Sequence, residues 1–336
     1  MDYFFDYTSQ ITNQFIDPKK RVFLFYILIS ILIAAVWFMI NKKLSLKKTL
    51  IKIFDKKIFF SKSAKSDYKI FLINQLIMML VSPFLITQLT IATALYFYFH
   101  TIDWLSAGMF VGIAKIYIIL SFTIFQFTID DFSKYIVHRF MHKWPVLWAL
   151  HKVHHSATVL TPMTVFRTHP LEGIIFSLRS AITQAIGISL FFYLFGNLVS
   201  LYTIVGVNIF VFVFNILGSN LRHSHIGIRY WKWLEYIFIS PAQHQLHHSI
   251  AFEHHDKNFG AALAIWDWLF GSLHHSVEFE TLHLGIKKNQ HDATHNLKNL
   301  YLDPIHEIKK HIFNKIKKIK NKFNKIILKG RYINEV

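Results

Sequence analysis

Histidine is the side chain that marks this sequence chemically. His138, His142, His151, His154 and His155 fall within one short stretch, and His223, His225, His244, His247 and His248 within a second. The spacing H-x-x-H-H occurs twice, at His151/His154/His155 and at His244/His247/His248. On an α-helix, residues three and four apart share a face. The spacing therefore predicts that His138 and His142 point the same way, and that each triplet does too. Neutral imidazole is a metal ligand that suits iron, zinc, copper and nickel. One pair and two triplets supply eight imidazoles, and a single zinc site uses about four ligands. The pattern thus predicts two metal ions. Packing alone is a poor reason to gather these rings, because each buried imidazole needs a hydrogen-bond partner or a metal.

The elements that must position these residues are apolar helices. Of 336 residues, 53% are hydrophobic and 34 are Phe, which predicts a membrane protein. Val22–Ile40 carries no charge and is long enough to span; it reads as an anchor rather than a signal peptide, since no small-residue cleavage site follows. Residues 41–69 carry ten lysines and read as a basic loop. Ile70–Phe99 is uncharged and interrupted by Pro83, Leu105–Ile129 carries only Lys115, and Gly173–Gly218 reads as a transmembrane hairpin broken near Phe195-Gly196-Asn197. A hairpin returns the chain to the side it left, so both histidine stretches meet on one face. The loop 41–69 and the basic C-terminus then lie on that same side, which the positive-inside rule makes cytoplasmic. Residues 305–327 place Ile305, Ile308, Ile312, Ile316, Ile319, Phe323 and Ile327 on a helical stripe among lysines. That stripe predicts a helix that lies on the membrane surface or packs on the catalytic region.

Several function classes are disfavoured. Net charge is +18, but no nucleic-acid-binding motif occurs, so the charge reads as membrane topology. There is no cysteine, which excludes disulfides, thiolate-ligated haem and cysteine-ligated iron–sulfur clusters in this chain. No G-x-G-x-x-G or G-x-x-x-x-G-K-[ST] is present, so electrons for redox chemistry must come from outside. A metal-ion transporter would carry its ligands near the bilayer midplane. Here the spans 22–40, 105–129 and 173–218 contain no His, Asp or Glu.

The motifs His138-Arg-Phe-Met-His142, His151-Lys-Val-His-His155 and His244-Gln-Leu-His-His248 resemble the histidine boxes of the fatty acid hydroxylase and sterol desaturase superfamily. Asp131-Phe-Ser-Lys-Tyr135, Arg167-Thr-His-Pro-Leu-Glu172, Asp256-Lys-Asn-Phe-Gly260 and Ile265-Trp-Asp-Trp-Leu-Phe-Gly271 are similar to its flanking motifs, and the likeness covers roughly residues 105–275. The sterol desaturase and alkylglycerol monooxygenase branches look closest. The resemblance implies an all-α polytopic membrane protein with about five transmembrane helices and a cytoplasmic helical cap carrying a dimetal site. It implies two iron ions, with zinc able to occupy the same ligands, and O2 as co-substrate. It implies hydroxylation or desaturation of a lipid C–H bond in a sterol, fatty acyl chain or ether lipid. By position, the implied ligands are His138, His142, His151, His154, His155, His223, His244, His247 and His248. His223 and His225 are two apart and do not share a helical face, so one of them is expected to bind metal, and the resemblance favours His223, with His225 and His169 as further candidates.

Asp131, Glu172 and Asp267 are candidate carboxylates for orienting ligands; structural salt bridges or helix caps are the competing roles. Asp131, seven residues before His138, is placed to accept its outward N–H. The expected layout is an N-terminal membrane region (1–104), a catalytic domain (105–280) and a basic tail (281–336). The expected setting is a bacterial inner membrane with the site facing the cytoplasm. The expected partners are a membrane lipid and an external reductase, ferredoxin or cytochrome b5-like donor, with no nucleic acid. A metal-ion transporter and a catalytically silent metal- or lipid-binding relative are the alternatives.

Overall fold

The computed structural model describes residues 2–196, 199–201, 203–204, 207–277, 282–286 and 295–333. It is mostly helical. Helix α1 (Asp2–Ile16) packs on α5 (Lys62–Val81), where Phe15 meets Phe71 edge-on and Tyr7 donates to the Leu72 carbonyl. Helix α2 (Leu24–Asn41) is uncharged throughout and ends at Lys42-Lys43, with Lys43 in the left-handed region. Two short basic helices, α3 (Leu46–Ile53) and α4 (Lys56–Phe59), lead into α5. Pro83 breaks the next apolar stretch, so α5 ends at Val81 and α6 (Gln88–Phe99) follows a 3-10 turn.

Helix α7 (Lys115–Lys143) starts ten residues later than expected. Residues 105–114 instead form turns that cover the end of α9 (Pro170–Phe195). The N–H groups of Gly108 and Phe110 donate to the Tyr193 and Leu194 carbonyls, which the helix terminus leaves unpaired. Helices α7 and α9 then run side by side. Phe122 packs against Phe191 with the rings tilted, and Gly187 leaves room for the Gln126 side chain, whose Oε1 would lie 2.0 Å from an added Cβ. Arg179 pairs with Asp130 at 2.9 Å.

Four stretches are long and apolar enough to cross a membrane: Leu24–Asn41, Lys62–Phe99, Lys115–Lys143 and Pro170–Phe195. Their outer faces display large apolar side chains such as Leu28, Leu32, Leu76, Ile124 and Phe192. These features make the chain an integral membrane protein. The second limb of the expected 173–218 hairpin differs. Its described part is a two-residue ribbon, β1 (Thr203–Ile204) with β2 (Val207–Asn208), and an eight-residue helix, α10 (Ile209–Ile216). Asn208 caps α10 by accepting from the Phe210 N–H, and Gly218 ends the stretch at φ +91°. Position Asn197 of the expected break lies outside the described residues.

Helices α8 (Pro145–His155), α11 (Pro241–His247) and α12 (Ile265–Leu269) form a cap with the 3-10 segment Ser219–His223. The long helix α13 (Leu297–Ile333) begins against this cap: Leu297 and Leu300 pack with Val153 and Ile70, and Lys152 pairs with Glu307. Farther along, Ile312, Phe313, Ile316 and Ile319 are exposed. Both expected roles of this helix thus have a segment that suits them. Phe323 and Ile327 lie outside the described side chains, and the boundary at 280/281 lies outside the described residues.

Arg167 ties α5 to the cap. Its guanidinium, fully buried, donates to Asp67 at 2.9 Å, to the Ser156 hydroxyl and to the Val153 carbonyl. Removing one member of a buried pair strands the other charge, at about 3–5 kcal/mol. Asp67→Asn is therefore expected to lower the thermal unfolding midpoint sharply in detergent, while Lys143→Ala, which breaks an exposed pair with Asp256, is expected to leave it within error.

Candidate metal centre

The local sequence explains how each ring is placed. His138 and His142 are one turn apart near the end of α7. Trp144 alone separates α7 from α8, and Pro145 occupies the first position of α8, where its missing N–H costs nothing. This tight corner folds His151, His154 and His155 back onto α7. Gly218, in the left-handed region, turns the chain into the segment that carries His223. A capping box between Ser240 and Gln243, with Pro241 at the first position, starts α11 and aims His244, His247 and His248 inward.

The nine histidines form two adjacent groups. His138, His142, His151, His155 and His247 each offer a ring nitrogen, all within 4.8 Å of one another; His154, His223, His244 and His248 do the same. Each H-x-x-H-H triplet therefore divides. In α8 the residues four apart, His151 and His155, join the first group and His154 the second. In α11 the assignment inverts: His244 and His248 join the second group and His247 the first. The groups meet where His155 and His248 stack with ring centres 4.6 Å apart.

The donor set fits metal. Nε2 of His138 faces Nε2 of His151 at 3.1 Å, and Nε2 of His223 lies 3.1 Å from that of His154 and 3.0 Å from that of His244. Nε2 of His142, His155, His247 and His248 is buried with no protein partner. Rings that converge with lone pairs unsatisfied are arranged for a shared cation. Burial disfavours the imidazolium form, so His154, His155, His223, His244 and His248 titrate well below the ordinary 6.5 and His247 is lowered to about 3. Neutral rings are the form that binds metal.

The candidate carboxylates have distinct roles. Glu172, in the first turn of α9, accepts from His151 Nδ1 at 2.8 Å. Asp131 does not accept from His138, as helical spacing suggested. Its oxygens take the N–H groups of Ala262 and Leu263 and the Trp266 indole, and His138 donates instead to the Phe259 carbonyl at 2.8 Å. Asp267 accepts from the Phe259 and Gly260 N–H groups and from Ser272; burial raises its carboxyl to about 6. The two carboxylates hold the loop whose carbonyls orient the rings, and His247 uses the Lys257 carbonyl at 2.7 Å.

Two further candidates lie elsewhere. His225 Nε2 faces the Lys52 carbonyl at 2.8 Å, away from both groups. His169 caps α9: its Nδ1 accepts from the Leu171 N–H, and its Nε2 faces the Tyr301 carbonyl. The dipeptide His169-Pro170 carries this helix-start signal in the sequence. The carbonyls of Lys257 and Phe259 were not singled out from sequence. Their signal is Asp256 and Asn258, which adopt φ +58° and +55°, a conformation these residue types tolerate best. Arg21, 2.8 Å from His223 Nδ1, carried no sequence signal beyond its place in a basic cluster.

Two outcomes follow from the geometry. His223→Ala is expected to lower bound metal while His225→Ala leaves it unchanged, read by elemental analysis of purified protein. For histidines held neutral in the fold, the unfolded chain binds protons more readily as pH falls below 6.5, so the stability they confer is fully present above that value and lost as pH drops toward about 3. Metal retention and thermal stability are expected to fall together between about pH 7 and pH 5, because protons compete for the same nitrogens.

Comparison with known proteins finds a family match and several relatives. Residues 123–272, which include all nine histidines, match the fatty acid hydroxylase family model. The chain is 28% identical over 158 residues to an ornithine lipid hydroxylase, OlsE, of Rhizobium tropici, covering 47% of this chain and 43% of that protein. It is 30% identical over 142 residues to an alkylglycerol monooxygenase of Danio rerio, covering 42% and 28%. It is 28% identical over 173 residues to a Delta(7)-sterol 5(6)-desaturase of Eremothecium gossypii, covering 50% and 41%. The chain thus spans less than half the length of these relatives. No solved structure matches it significantly. The histidine boxes, their convergence into two groups and these matches make residues 123–272 similar to the fatty acid hydroxylase family and to lipid hydroxylases, monooxygenases and sterol desaturases.

Proposed function

We propose that this protein is a non-haem di-iron oxygenase that hydroxylates or desaturates a C–H bond of a membrane lipid. The observation that carries the reading is the pair of adjacent, buried all-histidine groups beside membrane-spanning helices. Two irons bound there would activate O2 with two external electrons. Hydroxylation consumes O2, two electrons and two protons and yields an alcohol and one water; desaturation consumes the same and yields an alkene and two waters. The chain's own part is geometric. Glu172 fixes the ring of His151, Asp131 and Asp267 fix the loop that fixes His138, and burial keeps bulk water from the centre.

A cleft of about 1680 Å³ supports the lipid assignment. Leu120, Ile124 and Phe127 of α7 line it opposite Phe210, Val213 and Leu217. Ser224 and Gln245, each next to a metal-group histidine, form part of its wall. A hydrocarbon chain enters such a cleft with its polar end toward Lys42 and Arg229. The domain layout expected from sequence, with catalytic residues in 105–280, suits this arrangement. Electrons would come from a reductase, ferredoxin or cytochrome b5-like partner drawn to the lysine-rich surface; by the positive-inside rule the centre would face the cytoplasm, and the expected setting is a bacterial inner membrane.

The test compares lipid extracts and iron content of cells expressing the wild type, His154→Ala and His247→Ala, one variant for each group. The expected result is iron in the wild type and a lipid heavier by one oxygen or lighter by two hydrogens, with the iron lowered and the lipid change lost in each variant. Iron without any lipid change under reducing, aerobic conditions would point to a silent relative. Metal flux in liposomes that survives removal of O2 would point to a transporter.

A further inference from the structure

The two histidine groups differ in what stands behind them. In the five-histidine group, three rings direct their outward nitrogen at an oxygen: His138 Nδ1 at the Phe259 carbonyl, His247 Nδ1 at the Lys257 carbonyl and His151 Nδ1 at the Glu172 carboxylate. Such acceptors raise the basicity of the ligand and hold its ring in place. In the four-histidine group, Nδ1 of His244 and His248 is buried with no protein partner, and His154 faces only the Arg167 backbone. The fourth ring, His223, meets the Arg21 guanidinium, whose Nη2 lies 2.8 Å from its Nδ1. A guanidinium can only donate, and it is always charged.

Arg21 is held there by the fold. It reaches from the segment before α2, donates to the Ser219 carbonyl at 3.0 Å, and its own carbonyl accepts from Asn220. Among the described residues no carboxylate pairs with it, and its Nε is enclosed without a partner. A second arginine, Arg222, is buried close by and bound to the carbonyls of Ser219 and Ala261. Arg21 thus sets its positive charge against His223, whose Nε2 lies 3.1 Å from that of His154 and 3.0 Å from that of His244. A positive charge this close opposes a metal cation held between these rings.

We infer that the two metal positions are unequal, the five-histidine group holding its ion tightly and the four-histidine group holding a labile one, and that Arg21 is the positioning residue that makes the second ion labile. This rests on the metal-centre reading above. The asymmetry has two sources of opposite sign: a carboxylate behind one group and a guanidinium behind the other.

The experiment is a chelator challenge of iron-loaded, detergent-purified full-length protein, following iron released and iron retained per chain. The wild type is expected to release iron in two phases of equal size. His223→Ala is expected to lack the fast phase and His151→Ala the slow one, which assigns them. Arg21→Gln is expected to slow the fast phase by about tenfold or more. Arg21→Lys, which keeps the charge, is expected to retain the fast phase, an outcome that a purely structural role for the side chain does not require. Glu172→Gln is expected to speed the slow phase by about 10–100-fold. Release in a single phase from the wild type, loss of the slow rather than the fast phase in His223→Ala, or an unchanged fast phase in Arg21→Gln would overturn the inference while leaving the dimetal centre intact. Wild-type protein that takes up no iron would overturn the metal-centre reading itself.

Discussion

Nine imidazoles converge in a space largely closed to water, and this crowding is the constraint around which the cap is built. A buried ring nitrogen without a partner forfeits about 1–3 kcal/mol. Several such atoms are present at once, the Nε2 of His142, His155, His247 and His248. Metal coordination is the interaction that repays them together. The local devices around the rings have in common that they leave the rings no other direction to point. The single-residue corner at Trp144, the left-handed Gly218 and the capping box at Ser240 each send a histidine-bearing segment toward one point.

Convergence of this kind needs a rigid frame, and the frame is polar. Asp131 on α7 and Asp267 on α12 grip the two sides of the loop between Phe259 and Trp266 through backbone N–H groups. Gly260 permits the closeness, since an added Cβ would sit 2.5 Å from the Leu263 carbonyl. The loop then returns a carbonyl to His138. Arg167 does similar work on the opposite side, linking α5, α8 and the segment between them through fully buried contacts. Buried charges of this kind hold shape only while every partner is present.

Helix α7 joins membrane and chemistry without a break. Its first turns carry Ile116, Leu120 and Ile124 on an exposed apolar face, and its last turns carry His138 and His142. The same helix lines the apolar cleft at Leu120, Ile124 and Phe127. A lipid held along α7 therefore lies beside the element that delivers two ligands, and no hinge intervenes to blur the distance between them.

Much of the site was legible in the chain because helical periodicity is a local rule. His138 with His142, His151 with His155, and His244 with His248 are each four apart and do share a face and a group. Spacing showed that His223 and His225 do not share a face and the resemblance favoured His223, which the structure brings to the other rings while His225 lies elsewhere. The helical apolar character of the spans was legible for the same reason. The division of each triplet between two groups was not, because it depends on the angle at which α8 and α11 approach each other. Asp131 was assigned by periodicity to His138 but serves a loop more than a hundred residues away, and His169 serves α9 as a cap. The second hairpin limb looked apolar enough to span, yet α10 is only eight residues long. The placement of Arg21 behind His223 joins residues far apart in the chain. Sequence determined which residues could bind metal and which faces they share. Only the tertiary structure decided which centre each serves and what charge stands behind it, because those depend on contacts between distant segments that no local period encodes.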